Sequence, residues 1–169
     1  MKIKFVSIEG SIITVGFRKT ASLMRTIHPE TEVDFIVPTN QMSVLSFLLG
    51  RCTSEMSDDD LNKISQHLAK ADLVAFSSMT PYADLTKDII SRIKQVNPQV
   101  YFIWGGIHPI MAPEDAIQHA NAICTGEGEV AFEEFLSAYK EGRDYTQTKN
   151  FWFWLVGCQS GQWLRGDSY

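Results

Sequence analysis

Three observations predict an α/β fold in which a parallel sheet of about five strands is covered by helices on both faces. Short apolar runs bounded by turn residues recur along the chain, and segments of helix length and helical periodicity separate them. The runs are also nearly continuous in apolar residues, as in Leu73-Val74-Ala75-Phe76, whereas a sheet wet on one face would alternate apolar with polar.

Lys2 to Ser7 reads as the first strand, and Ile12 to Ile27 as the helix that crosses back over the sheet. A second strand, Glu32 to Val37, precedes a helical segment from Met42 to Leu49 and another from Asp58 to Ala69. Strand Leu73 to Ser77 is followed by helix Ala83 to Val96, and strand Val100 to Trp104 by helix Pro113 to His119. The fifth strand, Ala122 to Thr125, leads into helix Val130 to Tyr139. One helix per crossover and short links favour the flavodoxin-like (Rossmann-like) strand order 2-1-3-4-5, a three-layer sandwich. After Gly142 the texture changes. Asp144 to Asn150 is polar, and Phe151 to Val156 then meets Gln162 to Arg165 across a Gly-rich turn, which predicts an aromatic β-hairpin. Its ring density is too high for a free tail, so Trp152, Trp154 and Trp163 are expected to bury against the domain or against a second copy in a homodimer. The expected division is an α/β domain over 1–142 and a linker with hairpin over 143–169.

Composition bounds the function. At 169 residues, 44% hydrophobic and 21% charged, the chain fits one compact domain with a full core. The balance of 15 basic and 20 acidic side chains leaves a net charge of −5 with no Lys/Arg cluster, which argues against nucleic acid as a partner. No apolar run approaches the roughly 20 residues that cross a bilayer. Met1-Lys2-Ile3-Lys4-Phe5 opens a strand instead of a signal peptide, so a cytoplasmic location without a membrane partner is expected. Cys52, Cys124 and Cys158 are widely spaced with no CxxC or CxxxCxxC, which excludes a cysteine-ligated cluster in this chain.

Ligands of open parallel sheets bind beyond the carboxyl ends of the strands, where loop amides and helix N-termini converge. Four such ends are small or polar: Ser7-Ile8-Glu9-Gly10-Ser11, Ser77-Ser78-Met79-Thr80-Pro81, Gly105-Gly106-Ile107-His108-Pro109 and Gly126-Glu127-Gly128-Glu129. Ser78 and Thr80 have two readings, as ligand contacts or with Thr80 as a helix N-cap ahead of Pro81. Gly105-Gly106 removes two Cβ atoms where a plain turn needs one, which favours close approach of a flat ligand. His108 before Pro109 is expected to be extended, and its ordinary reading is a loop histidine bonded to backbone. Glu127 and Glu129 suit the first turn of a helix and weaken the case for phosphate there. They would accept hydrogen bonds from the hydroxyls or amides of a neutral ligand.

The segments Ser77-Ser78-Met79-Thr80, Gly105-Gly106-Ile107-His108-Pro109 and Gly126-Glu127-Gly128-Glu129, in that order, resemble the N-terminal cobalamin (B12)-binding domain of B12-binding radical SAM proteins. That group contains methyltransferases and relatives of the anaerobic magnesium-protoporphyrin ester cyclase. The resemblance is strongest from Ala71 to Gly142 and is topological only before Lys70. It implies that cobalamin is the cofactor and that a radical SAM barrel, in cis or in trans, is the partner. SAM and a 4Fe-4S cluster would belong to that barrel. Carried over residue by residue, it places Ser77, Ser78 and Thr80 beside the nucleotide tail, Gly105, Gly106 and His108 along it, and Gly126, Glu127, Gly128 and Glu129 on its far side. Met79 would face the corrin or pack in the core, and Glu9, Gly10 and Ser11 would lie under the ring. The D-x-H-x-x-G loop that supplies a cobalt ligand in methionine synthase-type domains is missing after the first strand, which implies binding without histidine ligation.

Three other readings share the frame. A receiver domain lacks its acidic pair and its phosphorylatable Asp here. A flavin-binding module is the nearer alternative, although Ile8, Glu9, Ile12 and Ile13 dilute the expected phosphate loop. A cofactor-free scaffold of the same fold is the third.

Overall fold

The computed structural model describes residues 1–9, 14–38 and 56–154, together with the backbone of 163–165. Strands β1 (Ile3–Ile8), β2 (Glu32–Ile36), β3 (Leu73–Ser78), β4 (Tyr101–Gly105) and β5 (Ala122–Cys124) run parallel in the order β2-β1-β3-β4-β5, as predicted. The hairpin strands β6 (Phe151–Trp154) and β7 (Trp163–Arg165) continue the same sheet antiparallel beyond β5. Phe151 and Phe153 are 0% and 2% exposed, so β6 is part of the core. Trp152 is buried and Trp154 packs half-buried against the core; the side chain of Trp163 lies outside the described residues.

The helices are α1 (Val15–Ile27), α2 (Asp58–Leu68), α3 (Ala83–Val96), α4 (Ile107–Met111), α5 (Pro113–Ala116) and α6 (Gly128–Lys140). The predicted segment Met42 to Leu49 and the start of the first helix at Ile12 lie outside the described residues. Because side chains alternate along a strand, the sheet separates two cores. On one face Phe76, Phe102, Trp104 and Ile123 pack with Leu61 and Leu68 of α2 and Ile89, Ile90 and Ile93 of α3. On the other, Phe5, Ala75, Ile103 and Cys124 pack with Phe17 and Met24 of α1 and Phe132, Phe135 and Leu136 of α6.

Three local expectations are corrected. The helix expected over Pro113 to His119 ends at Ala116, after which Gln118 and His119 donate to the carbonyls three residues back and tighten the chain into a turn. Thr80 does not cap a helix: it lies inside a 3₁₀ turn, Thr80–Tyr82, whose cap position is Met79. His108 is helical, not extended. Gly106 provides the sharp entry to α4, and Pro109 falls in its first turn, where the missing N–H has no helical partner to lose.

Candidate functional site

A cleft of about 530 Å³ opens at the carboxyl edge of the sheet on the α1/α6 face. Its floor is apolar, built from Phe5, Ala75, Cys124 and Phe132, with the Phe5 and Phe132 rings 5.2 Å apart. Its rim is polar, carrying Glu9, Thr14, Thr20, Ser77, Glu127 and Glu129, while Met79, Ile107 and Ile110 add partly exposed apolar surface at the mouth. An apolar cavity with a few convergent polar groups, within the range of about 300–1,000 Å³, is the usual form of a small-molecule site.

Nine of the residues singled out from the sequence converge here: Glu9, Ser77, Met79, Gly105, Gly106, Gly126, Glu127, Gly128 and Glu129 all line the cleft. Gly10 and Ser11 lie outside the described residues. Thr80 is exposed outside the lining. Ser78 points to the opposite face, fully buried, where its hydroxyl accepts from Trp104 Nε1 at 2.9 Å and Thr86 Oγ1 at 3.0 Å. His108 is also away from the cleft. Its ring lies 5.0 Å from that of Trp104, and its Nε2 is 2.9 Å from Asp115 Oδ2, so it bonds a side chain and not the backbone expected of it. Lys87 closes that cluster with Nζ 2.8 Å from Asp115. Burial opposes ionisation of Asp115, but hydrogen bonds from Lys87 and His108 hold its carboxyl below the ordinary range.

The glycine pair divides. Gly106 has φ +93°, and a Cβ on it would lie 2.7 Å from Ser78 O and 2.8 Å from Ser78 N, so backbone geometry alone demands glycine. Gly105 is different. Among the described residues a Cβ there would meet its nearest neighbour, Cys124 Cβ, at an ordinary 3.7 Å, on the side that lines the cleft.

The electrostatics suit a ligand of little negative charge. Burial raises the Glu9 carboxyl above its ordinary range, with the Ser7 hydroxyl opposing the shift. Glu129 is partly desolvated, yet its own backbone N–H and Lys19, 3.0 Å away across the α1–α6 gap, hold it below that range. Burial pushes the Cys124 thiol up to about 11, so the floor remains neutral. Among the described residues no cluster of three or more His, Cys, Asp or Glu side chains is placed to hold a metal ion, and no helix is long and apolar enough to cross a membrane.

Sequence reasoning missed the contribution of α1, where Gly16, Phe17 and Thr20 form one wall together with the cap residue Thr14. Gly16 and Thr20 stand one helical turn apart, with the Thr20 hydroxyl bonded to Gly16 O at 3.1 Å, and that spacing of small residues was the available signal.

A family model described as the B12 binding domain matches residues 42–136. Among curated proteins, the anaerobic magnesium-protoporphyrin IX monomethyl ester cyclase of Rubrivivax gelatinosus is 29% identical over 94 residues, 54% of this chain and 17% of that protein. The radical S-adenosylmethionine methyltransferase TsrM from Kitasatospora setae, solved with cobalamin and a 4Fe-4S cluster bound, superposes with a TM-score of 0.68 at 15% identity, covering 99% of this chain and 29% of that one. The cobalamin-dependent S-adenosylmethionine radical enzyme OxsB, solved with aqua-cobalamin and S-adenosylmethionine, gives 0.62 at 13% identity, covering 98% of this chain and 22% of that one. The chain thus spans less than a third of the length of each of these relatives. The two solved enzymes share its fold, and the family match covers more than half of its residues. This chain therefore belongs to the B12-binding domain family.

Proposed function

We propose that this chain is the cobalamin-binding part of a radical SAM enzyme of methyltransferase or cyclase type, with residues 143–169 leading toward the catalytic barrel. In this reading the cleft holds the nucleotide tail of the cofactor. The observation that carries it is the bare strand end at Gly105, which lines the cleft between α1 and α6 and where, among the described residues, a Cβ would meet nothing closer than Cys124 Cβ at 3.7 Å. Bound cobalamin supplies cobalt-centred one-carbon and radical chemistry. The protein's part is to bind and orient it. Phe5 and Phe132 would pack against a flat heterocycle, Ser77 and Thr20 would bond sugar hydroxyls, and Glu127 and Glu129 would accept from amide groups.

Binding without histidine ligation is part of the proposal. The chain's four histidines are His28, His67, His108 and His119, and none lines the cleft. Titration of the protein with hydroxocobalamin, followed by corrin absorption, is the test. Saturable binding is expected, unaffected in its cobalt spectrum by His108→Ala, and strongly weakened by Gly105→Leu. Stoichiometric flavin binding with no response to hydroxocobalamin would overturn the reading. A spectrum altered as by loss of an axial nitrogen in His108→Ala would overturn its second half.

A further inference from the structure

We propose that Asn150 is a positioning residue that interlocks the C-terminal strand with the cleft wall, and that Gly126 is glycine to receive it. The resemblance assigns Gly126 to the cofactor tail; the geometry points to the linker instead. Asn150 stands immediately before β6, is 9% exposed, and has φ +62°, unusual for a residue with a side chain. Its carbonyl accepts from the Thr125 N–H at 2.9 Å and from the Thr125 hydroxyl at 3.4 Å, and its amide Nδ2 donates to Glu127 O at 3.4 Å. The same amide occupies the space over Gly126. A Cβ on Gly126 would lie 2.6 Å from Asn150 Cγ, 2.8 Å from Oδ1 and 2.9 Å from Nδ2, while Gly126 has no positive φ of its own to require glycine.

The loop from Thr125 to Glu127 joins β5 to α6, and both Gly126 and Glu127 line the cleft. With Asn150 bonded on either side of Gly126 and seated upon it, this wall and the segment leading to the hairpin form one unit. A displacement of the hairpin is therefore felt at Glu127, and the shape of the cleft is set partly by residues that follow the parallel sheet. This role of Asn150 rests on the reading of the cleft as the cofactor site, but the interlock itself does not.

A double-substitution cycle on the 169-residue chain separates the two. Gly126→Ala alone is expected to lower the melting temperature, because its methyl displaces the amide. In the Asn150→Gly background, which accepts the positive φ and empties the notch, Gly126→Ala should cost little. Hydroxocobalamin affinity should fall about tenfold in Asn150→Gly and in Asn150→Asp, which keeps the shape but replaces the donor to Glu127 O with an acceptor. Equal melting losses from Gly126→Ala in both backgrounds would overturn the interlock. Coupled melting with unchanged affinity in both Asn150 variants would reduce Asn150 to a structural pin and overturn its positioning role. Absence of hydroxocobalamin binding in the unsubstituted chain would instead defeat the cofactor reading, leaving the melting cycle to decide the interlock.

Discussion

At the carboxyl edge of the sheet, the α2/α3 face and the α1/α6 face treat the ends of the same two strands in opposite ways. On the first, Phe76 and Trp104 are 1% and 0% exposed, and the Ser78 hydroxyl accepts hydrogen bonds from both Trp104 and Thr86. On the second, the neighbouring positions Ala75, Ser77 and Gly105 leave the cleft open. The strands, their register and their depth are shared. Only the pleat differs, so a shift of one residue separates a packing site from a binding site. The difference shows why adjacent motif residues carry different duties: Ser77 faces the cleft and Ser78 faces a wall of tryptophan and threonine.

The largest test of this contrast sets Trp104 against Gly105. Trp104→Ala should cost about 3–5 kcal/mol in chemical denaturation, since it empties a fully buried site. Gly105→Ala should stay within about 1 kcal/mol of the unsubstituted protein while weakening hydroxocobalamin, because the added methyl enters the cleft at ordinary contact distance from Cys124. A large stability loss at Gly105 would show that the open face is packed after all.

A second experiment sharpens the division within the glycine pair. Gly106→Ala and Gly106→Val should both destabilise by roughly 1–3 kcal/mol, through the positive φ and the approach to Ser78 O, with affinity falling only as the folded fraction falls. Equal melting together with lost corrin binding would return Gly106 to the ligand.

The smallest effect concerns Glu9, which follows β1 and lines the cleft. Its carboxyl is raised in the folded protein by burial, so the native state holds the proton more tightly than the unfolded chain does. Stability from this group is present below the ordinary carboxylate range near about 4.3 and is lost as pH rises through the raised folded value. Glu9→Gln should therefore melt higher than the unsubstituted protein at neutral pH, with the gap closing in acid. A gain independent of pH would separate it from this carboxyl.

Most of the frame was legible in the residues themselves. Leu73 to Phe76 announced a strand buried on both faces, and the recurrence of such runs with helix-length spacers led to the observed parallel order. Helix α6 begins at Gly128, two residues ahead of the expected Val130, because the chain enters the helix directly after its cap residue Glu127. His108 misled for a similar reason. Its Pro109 neighbour predicts extended backbone, but the positive φ of Gly106 launches a helix early enough to place the proline in a first turn.

What the sequence by itself determined was periodicity: which segments are strands, in what order they alternate with helices, and that small residues gather at their carboxyl ends. Those are local properties, written within a few residues of one another. The tertiary structure alone decided what each small residue is small for. Gly106 makes room for the backbone of Ser78 and Gly126 for the side chain of Asn150, whereas at Gly105 the described residues leave ordinary contact distances on the cleft side. The first two assignments depend on partners more than twenty positions away in the chain, and a glycine in sequence carries no mark of which atom will stand where its Cβ would have been.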